Sequence, residues 1–358
     1  MAALFSPLQI RDVTFRNRIT ISPMCEYTAK DGFANDWHLV HLGSRAVGGA
    51  GLIITEAVAV SPEGRISPSD LGLWDDAHIA GLKRITDFIS AQGAVPGIQL
   101  AHAGRKSSTA VPWKGIQLVP VEQGGWKEIY APSAIPFSEK YGHPIALTKE
   151  EIKRITADFK AAAKRSLEAG FKVAELHGAH GYLLHQFLSP LSNQRTDEYG
   201  GDFTNRIRFL LETVDAVREV WPATLPLFVR LSATDWAEGG WDLEQTTTLA
   251  LILKDRGVDL IDTSSGGLTH HQKITVGPLY QTPFAEHIRK ETGILTGAVG
   301  MITTAEEAES IIVEGKADLV LIARESLRNP YFPLHAAHTL KDESFVWPVQ
   351  YERAKWRH

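Results

Sequence analysis

The chain has 358 residues, and 44% of them are hydrophobic, enough for a sizeable core. Its net charge of −5 and scattered Lys and Arg residues give no electrostatic case for nucleic acid or an anionic membrane surface. A single cysteine, Cys25, excludes a disulfide framework, Cys-rich zinc sites and clusters held by four thiolates, and it points to a reducing compartment. The opening MAALFSPLQIRD lacks the basic segment and apolar run of a secretory signal. The longest apolar stretch, AVGGAGLII, is far short of the ~20 residues a bilayer span needs. The expectation is a cytoplasmic protein.

One phrase recurs along the chain: a short apolar strand, a turn, an amphipathic helix. LQIRDVTFRNR resembles a small hairpin placed to plug the bottom of a barrel, and RITISP (18–23) follows it as the first strand. AGLIITEAVAV (50–60) is a buried strand, uncharged until Glu56. The next segment has helical spacing of Ile79, Leu82, Ile85, Phe88 and Ile89 and stops at Gly93. VPGIQLAH is the third strand. A long irregular segment from Ser107 to Leu147 then carries five prolines, and such loops in compact folds are usually functional or lids. The helix that follows opens on Thr148 with Glu151 three residues later, a capping box, and closes at Gly170. FKVAELH, PLFVRLSA, VDLIDTSSGG, ILTGAVG and ADLVLIARE are the remaining strands, with helical patterns between them and a last helix in NPYFPLHAAHTL. Strands this uniformly apolar suit a parallel sheet covered on both faces. Eight β/α units therefore predict a closed (β/α)₈ TIM barrel, one domain over residues 1–358. An open doubly wound sheet would want G-x-G-x-x-G after its first strand, and none is present.

In such a barrel, chemistry collects at the C-terminal strand ends. There the strands offer Ser22-Pro23-Met24-Cys25 with Tyr27, then Glu56-Ala57, Gln99 and His102, His177 with His180 and Tyr182, Arg230, Ser264-Ser265-Gly266, Gly297-Ala298-Val299-Gly300, and Ala323-Arg324. Polar side chains inside apolar strands are costly unless paired or used. Gln99, His177 and Arg230 stand out for that reason, although a satisfied polar cluster would also account for them. Gly297 and Gly300 lie where a strand meets a helix, so backbone N–H groups can turn to a phosphate there, with Arg324 as a bidentate cation. Two tight connections relieved by glycine are the alternative. Gln99 presents an amide donor and acceptor to a ring carrying C=O and N–H side by side, Arg230 would stabilise negative charge on it, and Cys25 adds a soft sulfur. Flavin mononucleotide fits this set.

These residues resemble the old yellow enzyme family of flavin-dependent ene-reductases, in its bacterial thermophilic-like branch, similar to xenobiotic reductase A-type enzymes. The motifs that carry the resemblance are SPMCEY (22–27), GIQLAHAGRK (97–106), ELHGAHGYLLHQFLSPLSNQRTDEYGG (175–201), FVRLSA (228–233), TGAVGMI (296–302) and VQYER (349–353). The resemblance implies non-covalent FMN at the barrel mouth, lined by Ser22, Pro23, Met24 and Cys25 and contacted by Ala57, Gln99 and Arg230. Gly297, Gly300, Ala323 and Arg324 would hold its phosphate. It implies NADPH as hydride donor and an activated alkene as acceptor, with nitro compounds and nitrate esters open on the same site. His177 and His180 would grip the substrate oxygen, Tyr182 would give the proton, and Tyr27 would be a second substrate contact. Arg353 would reach into the neighbouring subunit's site, which predicts a homodimer or homotetramer. Two features depart from the pattern: the tail AKWRH after Arg353, and the loop 107–130 with Trp113 and Trp126.

No metal is expected. His185 lies five residues past His180, His270-His271 follow the sixth strand, and neither H-E-x-x-H nor a Cys cluster is present. A phosphate-binding lyase or aldolase barrel would need a Schiff-base lysine or a metal at a strand end, and Lys106 lies beyond strand three. A 2,4-dienoyl-CoA reductase layout would need further domains and an iron–sulfur cluster. A flavin carrier without catalysis would not need His177, His180 and Tyr182 together.

Overall fold

A computed structural model describes residues 1–356. Eight parallel strands close into a barrel, numbered here β1 (Ile19–Ile21), β2 (Leu52–Ala59), β3 (Val95–Ala101), β4 (Val173–Gly178), β5 (Leu227–Ser232), β6 (Leu260–Ser264), β7 (Leu295–Val299) and β8 (Leu319–Ile322). Each pairs with its successor and β8 pairs with β1, so the sheet has no edge. All eight expected strands are present. The antiparallel hairpin Leu8–Ile10/Val13–Phe15 lies where LQIRDVTFRNR predicts it, and its Ile10, Val13 and Phe15 pack with Leu52, Val173, Phe228, Leu260 and Leu319 at the N-terminal end of the barrel.

The helix Lys149–Glu168 shows how local sequence builds the outer layer. Thr148 accepts from the Glu151 N–H while the Glu151 carboxylate accepts from the Thr148 N–H. Ile152, Ile155, Phe159, Ala162 and Ala163 form its buried stripe at helical spacing. Gly170 ends it at φ +91°, where a Cβ would be strained and would lie 2.9 Å from Thr86 Oγ1.

β2 ends at Ala59, inside the expected 50–60, with a bulge between Ile54 and Ala57. Between β1 and β2 stands a helix, Asp36–Val47, that apolar periodicity does not reveal. Its buried face carries His38, His41 and Arg45 beside Leu42 and Ala46. Those polar groups are paired: His38 Nε2 lies 3.0 Å from Glu56 Oε1, and Arg45 donates to the carbonyls of His41 and Ser326. The long loop Ser107–Leu147 is not structureless, since Tyr130–Ala131 and Ile145–Ala146 form a small parallel pair. No helix among the described residues is long and apolar enough to cross a membrane.

Asp259 joins the hairpin to the barrel. Arg11 Nε donates to both of its oxygens at 2.7 and 2.8 Å, and Arg218 Nη2 and the Leu227 N–H share Oδ2 at 2.8 and 2.9 Å. Asp259→Ala strands two guanidinium groups, and it is expected to lower unfolding stability by about 2 kcal/mol in urea titration.

Candidate active site

The register of β3 to β6 brings one amide, two carboxylates and one guanidinium together inside the barrel. Gln99 pairs across from Glu175, His177 from Arg230, and Arg230 from Asp262. Gln99 Nε2 donates to Glu175 Oε1 at 2.8 Å. Arg230 Nε lies 3.0 Å from Asp262 Oδ2, and Arg230 Nη2 donates to Ser22 Oγ at 3.2 Å. One cation cannot neutralise two buried acids. Burial and the Asp262 charge push the Glu175 carboxyl up to about 8, while Arg230 opposes the rise. Asp262 is also raised by burial, to about 6, with Arg230 pulling it down. At neutral pH the proton therefore resides on Glu175, and Asp262 stays ionised against Arg230.

At the end of β4 the chain turns sharply. His180 adopts φ +57°, uncommon for a non-glycine residue. Its N–H donates to Ser232 Oγ at 3.0 Å, and its carbonyl accepts from Lys106 Nζ at 2.7 Å. The same amine donates to the Gly267 carbonyl, so Lys106 ties together the loops after β4 and β6. The turn brings three rings into one group: His177 stands edge-on to His180 at 5.1 Å and to Tyr182 at 4.9 Å between centroids. His180 Nε2 lies 2.7 Å from Ser264 Oγ. Burial, with the Arg230 charge second, holds both imidazoles well below their usual range, so they are neutral donors rather than cations. Burial raises the Tyr182 phenol well above its usual range, and it keeps its proton.

Facing this group is the segment after β1. The Ser22 N–H donates to the Ile322 carbonyl. Pro23 and Cys25 are partly exposed, and Met24 packs against the cluster around Ile21 and Leu42. Tyr27 sits at φ +51° with its hydroxyl toward Cys25. Burial, reinforced by the charges of Glu56 and Asp70, pushes the Cys25 thiol well up, so it remains a thiol. Ala57 and Tyr182 line one small cavity with Asp70.

A separate cavity of about 210 Å³ opens at the ends of β7 and β8 and is lined by Gly300, Met301, Ala323 and Arg324. Gly300 has φ +130°, and a Cβ there would lie 2.9 Å from Gln281 Nε2. Arg324 is exposed and has no carboxylate partner among the described residues. Gly297 lies one turn of the strand deeper, inside β7 and against Leu321, rather than on the wall of this cavity. The donor set fits FMN. A cradle with a free guanidinium suits the phosphate, and the orphaned buried atoms Glu175 Oε2 and His177 Nδ1 are polar groups that a bound ring can satisfy.

The other expected positions divide. Trp113, from the long loop, meets Tyr27 edge-on at 5.9 Å, so that loop does reach the mouth. Trp126 instead donates to the Glu63 carbonyl and lies under the Arg65 guanidinium. Arg353 is exposed on a short 3₁₀ turn, Val349–Ala354, and Trp356 stacks on His338. His185 accepts the Gly181 N–H at Nδ1 and holds Asp235 with Nε2 at 2.9 Å, which makes it a brace for the turn.

The comparisons agree with this geometry. The model of the NADH:flavin oxidoreductase / NADH oxidase family matches residues 3–343. NADPH dehydrogenase of Listeria innocua is 52% identical over 359 residues, covering 100% of both chains. NADPH dehydrogenase of Bacillus subtilis is 50% identical over 352 residues, covering 98% of both. The solved structure of morphinone reductase aligns with TM-score 0.78 and 31% identity over 94% of this chain and 90% of that one. A 2-naphthoyl-CoA reductase complex aligns with TM-score 0.85 and 26% identity, over 94% of this chain and 52% of that one. The chain belongs to the NADH:flavin oxidoreductase family, the old yellow enzymes; it is an oxidoreductase, and FMN is its cofactor.

Reading the sequence for site residues passed over Glu175, Asp262 and Gln281. The first two were legible as charges inside apolar strands, and Glu175 shares the face of His177 at spacing two. Gln281, whose amide bridges Ser265 and the Val299 carbonyl, stands at the start of a helix and gave no such signal. Glu175→Leu is expected to free the Gln99 amide and weaken FMN binding about tenfold in a fluorescence titration, the scale of one hydrogen bond. Because the folded Glu175 carboxyl is raised above its unfolded value, its stabilising effect is complete below about pH 4.5 and lost as pH rises through about 8. Glu175→Gln should abolish that loss when urea denaturation at pH 6 and pH 9 is compared with the unsubstituted protein.

Proposed function

We propose that this single-domain barrel is an NADPH-driven ene-reductase that saturates alkenes conjugated to a carbonyl or nitro group. The observation that carries the reading is the convergence of His177, His180 and Tyr182, two neutral N–H donors and a protonated phenol, above the Gln99–Glu175–Arg230 cluster. The relatives named NADPH dehydrogenase support NADPH as donor, and a morphinone reductase structure described in complex with tetrahydroNAD supports a nicotinamide nucleotide at a barrel of this kind.

FMN held by Gln99, Arg230 and the cradle at Gly300 and Arg324 would supply hydride transfer from NADPH to the substrate. His177 and His180 hold the substrate oxygen and so orient the β-carbon. As negative charge builds on that oxygen, their N–H groups stabilise it, an effect worth about 3 kcal/mol per donor in comparable oxyanion sites. The Ser264 hydroxyl fixes one His180 nitrogen and leaves the other for the substrate. Tyr182 delivers its proton to the α-carbon, and its raised pKa keeps that proton in place until charge has developed. Arg230, paired with Asp262, would stabilise negative charge on a flavin ring bound there. Tyr27 closes the opposite wall. Arg353 is assigned to the site of a neighbouring subunit in a homo-oligomer.

The first test is a visible spectrum under anaerobic conditions. A flavin band that bleaches with NADPH and returns on adding cyclohexenone is expected; a colourless protein that FMN does not reconstitute refutes the reading. His177→Ala/His180→Ala should retain flavin and lose at least about 100-fold in enone turnover. Tyr182→Phe should leave bleaching by NADPH intact and slow only the return of colour with cyclohexenone, measured by stopped flow.

A further inference from the structure

Beyond the loop that carries His180, the rim opens into a groove of about 610 Å³, within the size range of small-molecule sites. Its walls come from the loops after β3, β4, β5 and β6. It adjoins the reaction centre: the Phe137 ring on its wall lies 4.2 Å from Lys106 Nζ, the amine that holds the His180 carbonyl.

Three features mark it as a site for a flat, anionic ligand. The first is charge. Lys273 is exposed and has no carboxylate partner among the described residues, and Arg105 lines the same groove. Glu238 is the sole carboxylate on the lining, in a chain whose overall charge is −5. Local cations in an acidic protein favour an anion. The second is orientation. His270 Nδ1 donates to the Phe137 carbonyl at 2.9 Å, so Nε2 carries no proton and is left as an acceptor for a hydroxyl or amine of a ligand. The His271 ring follows at 3.8 Å. The third is the aromatic wall. Trp236 is held at φ +55°, edge-on to Phe284, with an indole N–H that has no hydrogen-bond partner. Strained, under-satisfied residues of this kind gather where ligands bind.

We propose that this groove takes the phosphorylated adenosine end of the hydride donor. The base lies against Trp236 and Phe137, Lys273 meets the ribose 2′-phosphate, and His270 Nε2 accepts from the free ribose hydroxyl. The assignment rests on the NADPH-driven reading above. A 3′-phosphorylated adenosine, as carried by a coenzyme A thioester, has the same chemistry, and the test separates the two.

The measurement is stopped-flow bleaching of the holoenzyme over a range of NADPH and of NADH concentrations. Lys273→Glu is expected to raise the apparent Kd for NADPH by at least about tenfold and that for NADH by less than about twofold, with an unchanged limiting rate. Lys273→Arg should restore NADPH binding. 2′,5′-ADP should compete with NADPH in the unsubstituted enzyme. An unchanged NADPH Kd in Lys273→Glu, or an equal rise for both donors, overturns the proposal. Competition by 3′,5′-ADP without competition by 2′,5′-ADP overturns the donor assignment. Failure of NADPH to bleach the unsubstituted holoenzyme would instead overturn the function on which the groove rests.

Discussion

One arginine serves two buried carboxylates, and much of the site follows from that shortage of charge. Arg230 lies between Glu175 and Asp262 in the low-dielectric barrel interior, where an unpaired charge is severely penalised. The proton that Glu175 retains is the local solution. It makes Glu175 a neutral partner for Gln99 and leaves Arg230 a net cation toward the mouth only to the extent that Asp262 does not cancel it. The register of four neighbouring strands sets this arrangement, because a one-residue slip would turn every one of these side chains out of the barrel.

Burial acts on the rim in the same sense. It keeps His177 and His180 neutral and keeps Tyr182 and Cys25 protonated. Each group therefore meets an incoming molecule as a hydrogen-bond donor without formal charge. Lys106 departs from this pattern: burial brings its amine down to about 7, and two backbone carbonyls hold it. Its work is mechanical, fastening the left-handed turn at His180 to the loop after β6.

The barrel was legible because its strands are continuous apolar runs separated by capped helices, and Thr148, Glu151 and Gly170 behave as their sequence context requires. The helix Asp36–Val47 was not, since its buried face is built from paired polar residues that an apolar pattern cannot register. In the site, the strand-end rule brought out Gln99, His177 and Arg230. What it could not supply was pairing: that Gln99 faces Glu175, or that Gln281 closes the cavity beside Gly300, depends on neighbours far away in the chain.

The cavity at β7 and β8 stands apart from the ring cluster at β4, on a different arc of the same rim. Gly300 and Arg324 are set by short connections, whereas the arc after β3 is roofed by the long segment 107–147. The barrel thus has a tightly connected side and an adjustable side. Loops on the adjustable arc can lengthen or change composition without moving the cradle, so lineages built on this frame can diversify what they reduce while keeping one way of carrying electrons.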